Sequence, residues 1–325
     1  MRGVNSSNAQ LPDAAPASSV AAIDVGTHTA LLLIAQRLED GSLETVEDHA
    51  FAARLGSGMS EDGSLSNESR RRTLDVLTTF ARRIELHGIP SSAVAAVSTA
   101  VLRRARDREA FCDEVRRTTG LELRVIEGRD EARLSWLGAA HADACALIDV
   151  GGGSTEILGP SGEFLASVPV GAAWATEQFG TGGVEPVGGG FDPEAMGGLE
   201  RSADAAFVAS GVTALDAGPS ARFATLVGGA AVNLGCLVAG AGAFDHRVGE
   251  GVEVTSAEAS AWARRIALLG LEERYDLPIE PDRAAVLPAG LALLGRALLH
   301  LGLERARVTG RGVRHGLAIE LAARL

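Results

Sequence analysis

One short phrase occurs twice in this chain, around residue 24 and again around residue 149. Residues 20–29 read VAAIDVGTHT, and residues 146–155 read ALIDVGGGST. Each copy is an apolar run ending in an aspartate, followed by a glycine turn with hydroxyl side chains. The pattern predicts a buried strand, a tight turn with exposed backbone N–H groups, and a returning strand. The repetition therefore predicts two such turns facing each other across a cleft.

The chemistry of these turns suits phosphate. Glycines let the backbone approach an anion closely, and successive N–H groups form a concave nest for phosphate oxygens. The carboxylate before each turn is the hard oxygen ligand that a phosphate-bound Mg²⁺ needs. The predicted phosphate contacts in the two turns are Gly26, Thr27, His28, Thr29, Gly151, Gly152, Gly153, Ser154 and Thr155. For His28 the alternative is a purely structural histidine.

Length and composition limit the class of protein. A chain of 325 residues predicts about two domains, and a hydrophobic content of 46% is that of a globular protein. The net charge of −12 argues against nucleic acid or an anionic membrane surface as a partner. It also conflicts with a phosphate-polymer substrate, unless the thirty basic residues, all of them arginine, cluster locally.

The cysteines and the N-terminal segment indicate the compartment. Cys112, Cys145 and Cys236 are odd in number and widely spaced, which is typical of reduced thiols in a cytoplasm. Residues 1–19 are rich in Ser, Asn, Ala and Pro without an apolar stretch, and predict a disordered tail. The uncharged run at residues 225–244 contains several glycines, so it favours a buried strand and helix start over a membrane span.

Strand-like and helix-like segments alternate along the chain, which predicts an α/β protein. A helix is predicted from Ser66 to His87, and another begins after Asp107 as its cap. The domain boundary is placed at residues 137–138, giving a first domain over 20–137 and a second over 138–325. The glycine-rich stretch from Gly180 to Gly190 is predicted to be a mobile loop.

Two glutamates are candidates for chemistry near the turns. Glu131, at a predicted helix start, could act as a general base on water, or could only stabilise the helix dipole. Glu156 follows the second turn on the same strand face as Ser154. It could therefore reach a metal or water in the cleft, or it could be a solvent-facing edge residue.

Basic and glycine residues supply further phosphate candidates. Arg103 or Arg104 follows a strand end, where ligands of open α/β sheets bind, although either could be a solvated helix charge. The phrase at Gly228 and Gly229 ends a strand and opens a helix. It offers helix N–H groups to an anion or a nucleotide, or it is a close-packed helix start.

The order of phrases resembles the exopolyphosphatase and guanosine pentaphosphate phosphohydrolase (Ppx/GppA) family of the actin-like superfamily. The phrases that carry the resemblance are residues 24–29, Arg54-Leu55-Gly56, 63–66, 98–103, 111–120, 131–134, 149–156 and 311–316. Three departures from the family pattern are His28 in place of asparagine, Arg283-Ala284-Ala285 in place of Arg-Ala-Asp, and the Gly180–Gly190 insertion.

The resemblance implies duplicated actin-like (ribonuclease H-like) α/β domains, an interdomain cleft, and a last helix that packs on the first domain. It implies that Glu131 is the general base, with Asp149 and Glu156 organising Mg²⁺ (or Mn²⁺) and water, and Asp24 assisting. Arg103 and both turns would hold phosphates. The implied reaction is release of terminal orthophosphate from inorganic polyphosphate.

Other functions stay open on the sequence. Guanosine pentaphosphate is an alternative substrate, because we expect this chain to be a short form without the additional helical domains of the longer family members. Two further alternatives are a nucleotide-driven member of the superfamily and a non-catalytic protein that binds polyphosphate or an alarmone. We also expect a cytoplasmic homodimer with neither nucleic acid nor membrane as a partner.

Overall fold

The computed structural model describes residues 19–139, 144–180, 190–215 and 223–325. Residues 1–18 of the predicted tail and residues 181–189 of the predicted mobile loop lie outside the described residues. Ser19, which the sequence assigned to the tail, is buried and begins the first strand. Cys112, Cys145 and Cys236 form no disulfide bond in the structure.

Strands and helices alternate through the described chain. The strands are β1 Ser19–Val25, β2 Ala30–Arg37, β3 Leu43–Phe51, β4 Val94–Ser98, β5 Leu123–Val125, β6 Ala146–Val150, β7 Thr155–Leu158, β8 Phe164–Val168, β9 Phe223–Val227, β10 Glu253–Thr255 and β11 Arg305–Val308. The helices are α1 Asn67–Leu86, α2 Ala100–Arg104, α3 Arg108–Thr119, α4 Gly128–Ala139, α5 Ala172–Phe179, α6 Pro193–Ala209, α7 Gly229–Val238, α8 His246–Gly249, α9 Ser256–Ala267, α10 Leu271–Arg274, α11 Leu287–His300 and α12 Val313–Ala322. Short 3₁₀ turns occupy Ser91–Ala93 and Pro281–Arg283.

The strands form two sheets of the same design. The first has the order β3-β2-β1-β4-β5, and the second has the order β10-β11-β9-β6-β7-β8. In each sheet the strand bearing the repeated aspartate pairs antiparallel with the next strand and parallel with the strand after a crossover. Read from β8, the second sheet repeats the first and adds β10 at its edge. This confirms the predicted duplicated α/β fold, and we call each sheet with its helices a lobe.

Local capping explains where α1 begins, but not where α3 begins. Ser66 occupies the N-cap of α1 and accepts a hydrogen bond from Ser69 N, as its side chain predicts. Asp107 occupies the N-cap of α3, but its carboxylate makes no capping bond there. It accepts instead from Leu65 N at 3.1 Å and from Arg70 Nη1 at 2.8 Å, and so joins α3 to α1. The predicted N-cap position of Asp107 is therefore confirmed, although its side chain bonds to other groups and not to the first turn of α3.

Two helices connect the lobes. Leu317 and Leu321 of α12 pack into the core of the first lobe, although α12 follows the last strand of the second sheet. Helix α4 contributes Leu134 to that core and Ala132 to a small cluster on the second sheet. The predicted division at residues 137–138 falls inside α4, and it stays a prediction. None of the helices within the described ranges is long and apolar enough to cross a membrane.

Helices α4 and α12 approach so closely that glycine is required where they cross. A Cβ at Gly316 would overlap the carbonyl of Leu134, which is backbone and cannot swing away. We expect Gly316→Ala to lower the free energy of unfolding by about 3 kcal/mol, the upper range for overpacking. Gly242→Ala is the control, because no atom lies within 4 Å of its added Cβ. Equal urea midpoints for the two variants would contradict the close packing.

Candidate active site

The two repeated phrases form the same hairpin turn. In the first, Gly26 N donates to Thr29 O at 2.9 Å; in the second, Gly151 N donates to Ser154 O, also at 2.9 Å. Each turn follows the strand that carries the repeated aspartate. The sequence repeat is therefore a structural repeat, and we call the turns loop 1 (residues 26–29) and loop 2 (residues 151–154).

Loops 1 and 2 face each other in contact. A Cβ on Gly152 would lie 2.9 Å from Thr27 Cβ, so glycine at residue 152 lets the loops approach. Between the lobes lies a cavity of about 260 Å³. The predicted site residues that line it are Asp24, Gly26, Thr27, His28, Thr29, Glu131, Asp149, Gly151, Gly152, Gly153, Ser154, Gly228 and Gly229. Arg103, Thr155 and Glu156 are not among the lining residues.

The two repeated aspartates carry unusual electrostatics. Burial of the Asp24 carboxyl, and then the charge of Asp149, raise its pKa to about 7, while Arg314 acts in the opposite direction. Asp24 Oδ1 is buried and has no hydrogen-bond partner. Burial raises the pKa of Asp149 to about 6. The Ser135 hydroxyl, 3.4 Å from Oδ2, and the charge of Arg283 both act to lower it. Near neutral pH the Asp24 carboxyl is therefore partly protonated and Asp149 is mostly ionised, and a nearby cation would favour the ionised form of both.

Glu131 lies in the first turn of α4 and is buried at 8% exposure. Burial and then Glu156 raise its pKa well above the usual range, against the pull of Arg103. Arg103 Nη1 donates to Glu131 Oε2 at 2.8 Å and to the carbonyl of Ile126, also at 2.8 Å. The predicted phosphate ligand Arg103 is thus engaged with the predicted base, and this contact fixes one oxygen of Glu131.

Glu156 and Thr155 lie behind the cavity wall. Glu156 pairs in register with Asp149, and its Oε1 accepts a hydrogen bond from the Ser167 hydroxyl at 2.9 Å. Burial and then Asp149 raise the pKa of Glu156 to about 7. The Thr155 hydroxyl donates to Val170 O at 2.7 Å in the core. The structure therefore does not bring the Thr155 hydroxyl to the phosphate site, because it satisfies a buried carbonyl.

His28 faces the other lobe. Its Nε2 lies 2.8 Å from the carbonyl oxygen of Asp282. Burial and then the charges of Arg283 and Arg54 lower its pKa to about 4, so the ring is neutral at ordinary pH. Since a carbonyl only accepts, Nε2 carries the proton and donates it to Asp282. This nitrogen is committed to a contact between the lobes and is not directed at phosphate.

Sequence reasoning missed several groups of the site. Ser135 stands four residues after Glu131 on α4, so helical periodicity could have identified it as a partner for Asp149. Arg283 Nη2 donates to Thr29 Oγ1 at 2.8 Å across the cleft. Arg314 makes two hydrogen bonds of 2.8 Å to Asp48 on β3. No local sequence pattern predicts these two arginine contacts, because each of them joins distant parts of the chain.

The donor set fits a hard divalent cation held partly by water. Among the described residues, no group of three or more His, Cys, Asp or Glu side chains is arranged to hold a metal directly. Mg²⁺ retains several waters and needs only one or two carboxylates. Asp24 and Asp149 line the cavity, and the buried Asp24 Oδ1 lacks a partner that a hydrated cation would supply.

Two touching glycine loops in a cleft lined by carboxylates, between two lobes of repeated design, define a two-lobed α/β protein with its candidate site between the lobes. Residues 33–325 match the model of the Ppx/GppA phosphatase family. The chain belongs to this family, as its resemblance indicated.

Curated relatives share part of their length with this chain. It is 26% identical over 313 residues to a guanosine-5'-triphosphate,3'-diphosphate pyrophosphatase of Vibrio campbellii, covering 94% of this chain and 59% of that protein. It is 33% identical to the same-named protein of Vibrio atlanticus, over 49% of this chain and 33% of that protein. The chain thus spans between a third and three-fifths of the length of these relatives.

Solved structures match over nearly the whole chain. An exopolyphosphatase-like protein superposes with a TM-score of 0.83 at 25% identity, covering 94% of this chain and 98% of that one. A Ppx/GppA enzyme of Aquifex aeolicus superposes with a TM-score of 0.72 at 25% identity, covering 93% and 99%. The two-lobed architecture is therefore that of the family's solved members.

The raised pKa of Asp24 predicts a pH-dependent stability in protein freed of metal with EDTA. Between its unfolded pKa near 3.8 and its folded pKa near 7, the folded state binds a proton that the unfolded state releases. Its contribution to the free energy of unfolding is thus present at low pH and lost as pH rises through 7. Asp24→Asn should gain stability over the native chain from pH 4 to 8, by at most about 4 kcal/mol and by less where cavity water screens the charge.

Asp62→Asn is the control of opposite sign. Hydrogen bonds from Ser60 and then Ser64 lower the pKa of the exposed Asp62 carboxyl to about 2. Its stabilisation is present at neutral pH and lost as pH falls through 2, so Asp62→Asn should be the less stable protein at pH 7. Urea melts at four pH values measure both differences. A pH-independent difference for Asp24→Asn would contradict the raised pKa.

Proposed function

We propose that this protein is a hydrolase that releases terminal orthophosphate from a linear phosphate chain, with inorganic polyphosphate as substrate. The observation that carries the proposal is the contact of loops 1 and 2 in the cavity that Glu131, Asp24 and Asp149 also line. Two facing nests of backbone N–H groups suit a chain of phosphates, and the carboxylates supply acid–base and cation chemistry.

Glu131 is the proposed general base. Its raised pKa makes the carboxylate a stronger base than an ordinary glutamate, and a general base is most effective when its pKa lies near the working pH. Because Arg103 holds Oε2, the second oxygen is the one that accepts a proton from water. The water oxygen then bonds to the terminal phosphorus, and the bridging P–O bond breaks with its electron pair staying on the shortened chain.

Mg²⁺ or Mn²⁺ is the proposed cofactor. Asp24 and Asp149 would hold it from the cavity wall, and Glu156 would act behind them through water or through Asp149. When bound, such a cation neutralises charge on the phosphate oxygens. The chain's own contribution is to keep these carboxylates in place through Ser135 and Ser167.

Phosphate binding is assigned to loop 1, loop 2 and the start of α7 at Gly228 and Gly229. Apart from Gly26 N and Gly151 N, which close the two turns, their backbone N–H groups and the Ser154 hydroxyl are the proposed donors to phosphate oxygens. Arg103 remains a proposed phosphate contact through the N–H groups that its bonds to Glu131 and Ile126 do not use.

Guanosine pentaphosphate is a second candidate substrate. The curated relatives are named for hydrolysis of guanosine-5'-triphosphate,3'-diphosphate. Its triphosphate end presents the same linear phosphate chain to loops 1 and 2. We also propose, from the sequence alone, that the protein is a cytoplasmic homodimer.

Replacement of Glu131 tests the assignment of the base. Glu131→Gln keeps the shape but loses the proton acceptor, so kcat should fall about 10²–10⁴-fold while KM stays nearly constant. Glu122→Gln, an exposed glutamate of the same lobe, is the control and should match the native chain. Near-normal turnover by Glu131→Gln would move the base elsewhere, with Glu156 as the next candidate.

The same assay decides between the substrates. Orthophosphate release is measured in parallel on inorganic polyphosphate, guanosine pentaphosphate and ATP, with Mg²⁺ present. Preferred cleavage of polyphosphate supports the first candidate, and preferred cleavage of guanosine pentaphosphate replaces it with the second. Preferred cleavage of ATP, or no release from any of the three, would contradict the proposed function.

A further inference from the structure

The phrase Arg54-Leu55-Gly56 matches the family pattern, but no role follows from the sequence. In the structure it lies directly after β3 and supports loop 1 from behind. Arg54 N donates to His28 O at 2.7 Å, and Gly56 N donates to Thr27 O at 3.0 Å. The position of loop 1 therefore depends on the conformation of residues 54–56.

The backbone of Arg54 is in a conformation that side chains disfavour. Its φ is +47°, and it is the only non-glycine residue with a positive φ in the described parts of the chain. An arginine persists in the left-handed region where the surroundings over-determine it, and such residues cluster at functional sites. Glycine would meet the backbone requirement more easily, so the reason for arginine must be sought in its side chain.

The Arg54 side chain reaches across the cleft. Its Nη2 lies 3.1 Å from Asp282 Oδ1 in the second lobe. The neighbouring His28 donates to the carbonyl of the same Asp282, and Arg283 donates to Thr29. Three contacts thus join loop 1 and its support to the turn Pro281–Arg283. We call this set of contacts the clasp.

The second-lobe side of the clasp is firmly anchored. Glu280 N donates to Asn233 Oδ1 at 2.7 Å, and Asn233 Nδ2 donates to Gly229 O at 2.8 Å, which ties the turn to the start of α7. On its other side, the buried Arg274 donates through Nη1 to Ala284 O at 2.8 Å. Movement of loop 1 is therefore limited by a fixed point in the opposite lobe.

We propose that Arg54 is a positioning residue that couples loop 1 to the second lobe through Asp282. The coupling keeps the two loops close enough to hold one phosphate chain, and in this respect the inference rests on the proposed function. The ion pair is solvent-exposed, with 41% and 54% of the two side chains accessible, so it contributes little to global stability. Its effect is on the placement of loop 1.

Hydrogen exchange tests the coupling without any substrate. Asp282→Ala removes a side chain from the second lobe, yet it should speed exchange of the amides of Gly26, Arg54 and Gly56 in the first lobe by several-fold. Arg106→Ala is the matched control, because it removes an exposed arginine–aspartate pair that lies within the first lobe. Unchanged exchange of those three amides in Asp282→Ala would overturn the proposal.

Kinetics test the consequence for catalysis. Arg54→Gly keeps the left-handed backbone and removes only the side chain, so it should fold with an unchanged unfolding midpoint. Its kcat should fall about tenfold, because loop misplacement lowers turnover, while KM changes less than threefold. The double variant Arg54→Gly/Asp282→Ala should lose no more than either single variant, since both break one contact.

Full kcat in Arg54→Gly would overturn the positioning role. A multiplicative loss in the double variant would overturn it as well. A lower unfolding midpoint with unchanged kcat per folded molecule would also show a merely structural arginine. If the native chain releases phosphate from no substrate, the proposed function fails, and the exchange experiment alone decides whether Arg54 couples the lobes.

Discussion

The structure holds four acidic side chains close together at the cleft, an arrangement of like charges that costs folding free energy. Asp24, Glu131, Asp149 and Glu156 are withdrawn from bulk water at one cleft, where burial raises the pKa of each of them. Withdrawn carboxylates repel one another unless they are protonated or paired with a cation. Arg103 offsets part of this charge at Glu131. The remaining charge is what a phosphate-bound cation would neutralise, and strained or costly groups of this kind are typical of functional sites.

The duplication of the fold places Asp24 and Asp149 close together at the cleft. The two copies differ in the residue that pairs with each aspartate in the hairpin. Asp24 and Asp149 occupy equivalent places at the ends of β1 and β6. Opposite Asp149 in the hairpin stands Glu156, whereas Leu31 stands opposite Asp24. The second lobe thus supplies an additional carboxylate behind the cavity wall, and the first lobe supplies Glu131 through α4. Because α4 packs on both lobes, the proposed base sits where the lobes meet.

The sequence predicted those parts of the site that local patterns determine, and it did not predict contacts between residues far apart in the chain. The repeated phrases gave the strands, the turns and their aspartates, because glycine and apolar patterns encode hairpins locally. The partners of the Thr155 hydroxyl and the Asp107 carboxylate, which include Val170 and Leu65, were not predicted, because tertiary packing determines them. The clasp of Arg54 was not foreseen either, because a positive φ at an arginine has no sequence signal.

The central claim is that these carboxylates are kept for a cation, and linked proton release on Mg²⁺ binding tests it most directly. Calorimetric titration of the native chain with Mg²⁺ at pH 6.5, in two buffers of different ionisation enthalpy, counts the protons. Since groups with pKa values of about 6 and about 7 must ionise to bind the cation, we predict release of about one proton or more per Mg²⁺. Binding with no buffer dependence, or no binding at millimolar Mg²⁺, would contradict the account.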